Sequence, residues 1–265
     1  TCKRNNCGGE IALVLAPLSQ TDRQIATPPE VPWSWYYACD LPALARGPVG
    51  IAIGGRQFVV FRTASGAISA LERRCVHLRA DLALGHVEGE CLHCPLHDWR
   101  YDAAGRCVGI PAASEIPPFA RQQAYPTHVL GPHVFIFNRP EATFPFPFFE
   151  ECDPTDFFPA KPIVLKVALA WPMVAANGFD VQHFRTAHDR TLLEEPTLRE
   201  IGPFAQQISG RFRVSGRGPR DVLTRLLSGS EMRMTVTSWL GTIVHARAAF
   251  ARTTSNGMVC VRPID

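Results

Sequence analysis

The chain has 265 residues, of which 46% are hydrophobic and 19% charged, and its formal net charge is +3. That profile fits a packed globular protein and excludes a disordered one, and the length predicts two domains. The charge is too small, and too evenly scattered, to predict nucleic acid or an anionic membrane as a partner. The longest apolar run near the start, residues 11–18, is too short to cross a bilayer and lacks the layout of a signal peptide, so no membrane span is expected.

In chain order, residues 1–30 read as an irregular leader, and the start at Thr1 rather than Met is expected of a trimmed chain. From 31 to about 140 the pattern is short and β-like. Ile51-Ala52-Ile53, Gly54-Gly55 and Gln57-Phe58-Val59-Val60-Phe61 predict two strands about a tight turn, and His133-Val134-Phe135-Ile136-Phe137 predicts another. Strands this closely spaced predict a small sandwich or barrel. Residues 141–162, with Phe144-Pro145-Phe146-Pro147-Phe148-Phe149, read as a covered linker. Beyond it, residues 171–188 and 220–227 are predicted helical and 232–244 a strand. The expected class is α+β, with an all-β domain over 31–140 and an α+β domain over 141–265.

Nine cysteines are too few for a disulfide scaffold, and the number is odd. Their clustering with histidines predicts metal binding in a reducing, cytoplasmic compartment. Cys75-Val76-His77 and Cys94-Pro95-Leu96-His97 are separated by sixteen residues. A Rieske [2Fe–2S] centre needs two thiolates on one iron and two imidazoles on the other, and each segment supplies one of each. Zinc sites of two Cys and two His more often pair Cys with Cys and His with His. Cys91-Leu92-His93 abuts Cys94, forms no separate loop and reads as structural or surface.

The stretch from Cys75 to Cys107, with Cys94-Pro95-Leu96-His97-Asp98-Trp99-Arg100-Tyr101 and Gly105, resembles the Rieske domain of ring-hydroxylating oxygenases. His77-Leu78-Arg79-Ala80-Asp81-Leu82 and His97-Asp98-Trp99 resemble the branch with 3-ketosteroid 9α-hydroxylase and the Rieske sterol desaturases. Many relatives have Arg after the first ligand histidine and Gly after the second, where this chain has Leu78 and Asp98. Ala80 and Leu96 stand where respiratory-chain Rieske proteins have a bridging cysteine pair.

A second constellation is Asn177-Gly178-Phe179-Asp180-Val181-Gln182-His183-Phe184-Arg185-Thr186-Ala187-His188. Oxygen-activating mononuclear iron uses two histidines and a carboxylate on one face. On an ideal helix His183 and His188 point about 140° apart, so a π-bulge is expected to align them. Asp180, one turn before His183, is expected to orient its ring. The segment resembles the oxygenase motif, which implies Asp180 as bridging acid, Asn177 as a further motif residue, and His183 and His188 as Fe(II) ligands. Relatives place the carboxylate ligand further along than this chain extends, since it stops 77 residues after His188. The resemblance therefore implies a C-terminally incomplete, helix-grip-like catalytic domain. Asp189, Glu194, Glu195 and Asp221 are the nearer acids.

Three functions follow as expectations. The first is an oxygenase component, in which a Rieske cluster feeds a mononuclear iron that uses dioxygen to hydroxylate or desaturate a hydrophobic, cyclic substrate. The resemblance adds a head-to-tail homotrimer and a separate ferredoxin or flavin reductase, for no dinucleotide fingerprint is present. The second is a Rieske-type electron carrier, for which residues 1–140 would suffice. The third is a zinc-bound structural module. Phe179, Phe184 and Trp239 are candidates for an apolar pocket.

Overall fold

Four apolar side chains follow one another at Phe58-Val59-Val60-Phe61, and a strand with no polar face must be covered on both sides. The computed structural model, which describes residues 30–150 and 163–264, shows that covering. Phe58 and Val60 enter a core with Tyr36, Ile51, Ile53 and Ile136, while Val59 and Phe61 enter a second with Leu71, Leu82, Leu92 and Tyr101.

Three antiparallel sheets build this half. β2 (Val49–Ile53), β3 (Arg56–Arg62), β4 (Ile68–Glu72) and β9 (Ala124–Tyr125) lie in that order. β1 (Trp35–Asp40) pairs with β11 (His133–Phe137), which pairs with β10 (Thr127–Leu130). The third sheet is a meander of β5 (His86–Glu88), β6 (Cys91–His93), β7 (Arg100–Tyr101) and β8 (Cys107–Gly109). A short helix, α1 (Leu41–Leu44), follows β1, and a 3-10 turn spans Leu82–Leu84.

The remainder is one antiparallel sheet of β12 (Arg190–Leu192), β14 (Ala205–Val214), β15 (Glu231–Trp239), β16 (Ile243–Phe250) and β17 (Thr254–Cys260), with β13 (Thr197–Ile201) also on β14. Helices α2 (Pro172–Ala176), α3 (Val181–His188) and α4 (Pro219–Leu227) accompany it. Phe184 of α3 packs with Phe212, Met232, Val236 and Val244 on one sheet face, which is the α+β, helix-grip-like arrangement expected. No described helix is long and apolar enough to cross a membrane.

Two sequence expectations need correction. The single helix over 171–188 is broken at 177–180, because Gly178 lies against Val236 and Asp180 restarts the helix as its N-cap. The single strand over 232–244 is the hairpin β15–β16, turned at Leu240 (φ 49°) and Gly241 (φ 75°). Leucine in the left-handed region is uncommon, so the sequence carries only half of that turn signal.

From Val31 onward the chain is one compact unit. Phe135 and Phe137, on the outer face of β11, pack with Trp35, Phe144 and Ile243, and Phe144 stacks on Phe204 at 4.8 Å. Each such buried side chain stabilises the joint by about 1.5–3 kcal/mol. Polar contacts fix the register: Ser34 Oγ lies 2.7 Å from Thr242 Oγ1, and the Trp35 indole N–H donates to the Phe144 carbonyl at 3.0 Å. Arg262 donates to the Tyr37 and Ala38 carbonyls, both at 3.0 Å. The Phe/Pro stretch is covered as expected through Phe144 and Phe149, whereas residues 151–162 and nearly all of the leader 1–30 lie outside the described residues.

His245, buried on β16 and stacked on Phe149 at 4.4 Å, leaves its Nε2 without a hydrogen bond among the described residues. Burial pushes its pKa down to about 4. The unfolded chain takes this proton near pH 6.5, the folded chain only near 4. The stability is therefore complete above the unfolded value and falls as pH drops through that window. The loss at pH 5 relative to pH 7 is roughly 2 kcal/mol. Urea midpoints at the two pH values should converge in His245→Gln compared with wild type. An equal pH dependence in both proteins would contradict this assignment.

Candidate metal centres

Two loops of the same conformation meet at one end of the β5–β8 meander. In the first, the Cys75 N–H donates to the Ala80 carbonyl at 2.9 Å and the Arg79 N–H returns to the Cys75 carbonyl at 2.9 Å. In the second, the Cys94 N–H donates to the Trp99 carbonyl at 2.9 Å and the Asp98 N–H returns to the Cys94 carbonyl at 3.0 Å. Each turns on a left-handed residue four places after its cysteine, Arg79 (φ 60°) and Asp98 (φ 54°). Cys-x-His and Cys-x-x-His therefore deliver their histidines from matching loops, which the unequal spacing conceals.

The loops sort their side chains by depth. Cys75 and Cys94 are buried, at 1% and 4% exposure, and their thiols interact, while His77 and His97 are exposed with ring centroids 4.8 Å apart. Burial pushes the Cys75 thiol above its ordinary range, and the Tyr101 hydroxyl and a backbone N–H pull it down. Two adjacent buried thiolates are tolerable only against a compensating cation. The set fits a cluster with its sulfur-bound iron inside and its imidazole-bound iron at the surface.

Residues to which the sequence assigns no role hold this arrangement. The Tyr101 hydroxyl sits 3.1 Å from Cys75 Sγ, and burial keeps that phenol protonated. Buried Gln122 accepts from the Val76 N–H at 3.1 Å and donates to the Glu72 and Arg74 carbonyls, stapling the first loop. A Cβ at Gly105 (φ 77°) would stand 2.2 Å from the Gln122 carbonyl oxygen, so this turn needs glycine. Trp99 stacks on His77 at 4.5 Å with planes 7° apart. Asp81 takes a bidentate pair from Arg73 at 2.7 and 2.6 Å, and His93, buried and not superficial, binds Asp98. Asp81, Trp99, Tyr101 and Gly105 stand in the stretch that carries the resemblance, whereas Gln122 has no local signal. No disulfide is present among the described residues.

The second histidine pair is also brought together. His183 and His188 have ring centroids 4.9 Å apart at 80°. The expected π-bulge is absent, for α3 is α-helical to His188. It closes instead on a wide terminal turn, in which the Asp189 N–H (φ 53°) reaches the Phe184 carbonyl, and His188 at that end is free to swing toward His183. Burial, then His183, Arg190 and Arg220, lowers the His188 pKa and favours the neutral imidazole a metal requires.

Asp180 makes no hydrogen bond to His183 among the described residues. Its Oδ1 accepts the Gln182 N–H at 2.8 Å as the helix N-cap, and the residue is exposed. Asn177 is exposed at the C-cap of α2. No described carboxylate forms a three-donor group with His183 and His188. Asp221 binds Arg190 at 2.8 Å, Glu194 faces Arg211 and Arg233 at 3.7 Å, Asp189 caps α3, and Glu195 is exposed. Phe179 and Phe184 share the α3 face of the sheet, but Trp239 points to the other face and stacks on Phe144. A cavity of about 240 Å³ on that other face, lined by Gln207, Thr237, Trp239 and His245, is separate from the histidine pair.

Comparison with known proteins matches this geometry. Residues 34–120 match the Rieske [2Fe-2S] domain family. A cholesterol 7-desaturase nvd 1 from Ciona intestinalis is 38% identical over 112 residues, 42% of this chain and 24% of that protein. A 3-ketosteroid-9-alpha-monooxygenase oxygenase component from Rhodococcus rhodochrous is 35% identical over 98 residues, 37% of this chain and 25% of that protein. The chain thus spans about a quarter of the length of these curated relatives. The crystal structure of dicamba monooxygenase bound to 3,6-dichlorosalicylic acid shares the fold, with a TM-score of 0.67 and 19% identity, covering 89% of this chain and 74% of that one. With matched cysteine–histidine loops and a second histidine pair on α3, the chain carries a Rieske [2Fe-2S] domain at residues 34–120 and is similar to oxygenase components and desaturases.

Proposed function

We propose that this chain is an oxygenase component that receives electrons from a separate reductase and uses dioxygen to hydroxylate or desaturate a hydrophobic, cyclic organic substrate. One observation carries the reading: two histidine pairs on one chain, one above buried thiols and one without any. A pure electron carrier has no use for the second pair. The oxygenase names of the relatives support the same reading.

In this reading Cys75 and Cys94 hold one iron of the [2Fe–2S] cluster and His77 and His97 the other, while His183 and His188 hold mononuclear Fe(II). The cluster supplies one-electron transfer and the mononuclear iron supplies dioxygen activation. A carboxylate from outside the described residues completes the facial set. Trp99 fixes the His77 ring by stacking, and Tyr101 donates a hydrogen bond to the Cys75 sulfur. Phe212, Met232 and Val236 pack beneath α3 as an apolar floor that keeps water from the sheet side of the histidine pair.

The finer assignments rest on exposure and on family resemblance. In a head-to-tail homotrimer the exposed His97 meets Asp180 of the partner subunit, whose Oδ2 is unused by the helix cap. Electrons then cross the subunit boundary, and Asn177 supports the approach. Residues 31–140 form the Rieske domain and 141–265 the catalytic domain. The unpaired described cysteines suit a reducing cytoplasm.

Tyr101→Phe should keep the cluster but lower its reduction potential, because a hydrogen bond to the sulfur stabilises the reduced state. Protein-film voltammetry measures this, and an unchanged potential would remove Tyr101 from the account. Asp180→Asn preserves the N-cap, since Asn caps as well as Asp. It should therefore leave α3 and both metals in place while slowing reductase-driven turnover by about 10–100-fold. Turnover at the wild-type rate would mean that electrons bypass Asp180.

A further inference from the structure

A third group of metal-type donors lies beside the second Rieske loop, and none of its members is a proposed ligand of either centre. His86 and His93 are register partners across the β5–β6 hairpin, so their side chains share a face, with ring centroids 4.6 Å apart. Asp98 brings Oδ1 to 2.6 Å from His93 Nδ1, and its Oδ2 is held by Arg100 at 3.0 Å. One donor atom from each of His86, His93 and Asp98 lies within 4.8 Å of the other two.

The mobility of the three differs in a useful way. His93 is buried and anchored, His86 is exposed, and Asp98 is half-buried on the loop. A tetrahedral ion with bonds of about 2.0–2.1 Å sets its donors about 3.3 Å apart. The His93–Asp98 pair must open slightly and His86 must close in, which an exposed side chain does easily. A purely structural His93–Asp98 pair explains two of the members but not His86, whose side chain has no hydrogen bond to another described residue and meets the His93 side chain ring to ring. Two imidazoles and a carboxylate with open positions suit a borderline divalent ion.

We propose that His86, His93 and Asp98 form a third metal site, for a divalent transition ion of the zinc class, that regulates the cluster. Asp98 directly follows His97, so an ion there neutralises a carboxylate beside the cluster and adds positive charge. That charge raises the reduction potential, makes the cluster a weaker donor and holds the His97 loop still. The binding stands on the three side chains alone, whereas the effect on potential rests on the cluster reading above.

The test is titration of the cluster-loaded protein with Zn2+ against a chromophoric chelator, in a His183→Ala/His188→Ala background so that the α3 pair is not counted. One equivalent should bind, and His86→Ala should weaken it at least tenfold with the Rieske EPR signal of the reduced protein intact. Asp98→Asn, which keeps an acceptor for His93 but removes the charge, should weaken it similarly. Zn2+ should move the cluster potential upward in the parent and not in His86→Ala. No binding by the parent, or equal affinity in His86→Ala, would overturn the site. Loss of the Rieske signal in the parent itself would instead strike at the cluster reading, so the two failures are distinguishable.

Discussion

Everything in the first half of this molecule follows from placing two thiols side by side in a buried position. Unpaired thiolates there would cost several kcal/mol of desolvation, so the chain must supply a compensating cation and a rigid floor. The floor is β3, whose Val59 and Phe61 face the same core as Cys75, Cys94 and Tyr101. The walls are two identical hydrogen-bonded loops, each tied across its own base and each turned by one left-handed residue. Because the cysteines point in and the histidines point out, any metal group bridging them has one protected end and one end open to a partner. That polarity, and not the cysteine count, is what makes the site suited to passing electrons.

The second centre depends on a different economy. Helix α3 starts at Asp180 and ends immediately after His188, so the proposed site occupies nearly all of a helix of eight residues. Asp180 has two oxygens and spends one on the cap, leaving the other exposed. His188 is the last residue of the helix, next to the wide turn that the Asp189 N–H closes on the Phe184 carbonyl. The apolar sheet beneath, with Phe212, Met232 and Val236, holds this short helix by packing, since eight residues are too few to be stable alone.

That Cys75, His77, Cys94 and His97 would come together is legible because iron–sulfur chemistry restricts residue type and spacing so tightly. The strands 51–53, 57–61 and 133–137 were legible from apolar runs bounded by glycine. What remained hidden was mostly long-range. Gln122 staples a loop more than forty residues away, Tyr101 reaches Cys75, and His93 binds Asp98, and none of these leaves a local pattern. The helix break at 177–180 is hidden because the apolar spacing runs on through it and Gly178 lies inside the Asn177–His188 motif. The π-bulge was an unnecessary device, for an ideal-helix projection ignores the freedom of a terminal residue. Trp239 shares its chemistry with Phe179 and Phe184, yet strand alternation sends it to the opposite face.

In the proposed reading Cys75, His77, Cys94 and His97 act together on one two-iron group. Pulsed EPR on the reduced protein tests it most directly, because it reads the nuclei bound to the reduced iron. The account predicts two irons and two acid-labile sulfides for the cluster, with two distinct strongly coupled nitrogens, one of which disappears in His77→Cys and the other in His97→Cys. A reduced centre with no strongly coupled nitrogen, or a colourless protein holding zinc at these four residues, would contradict it.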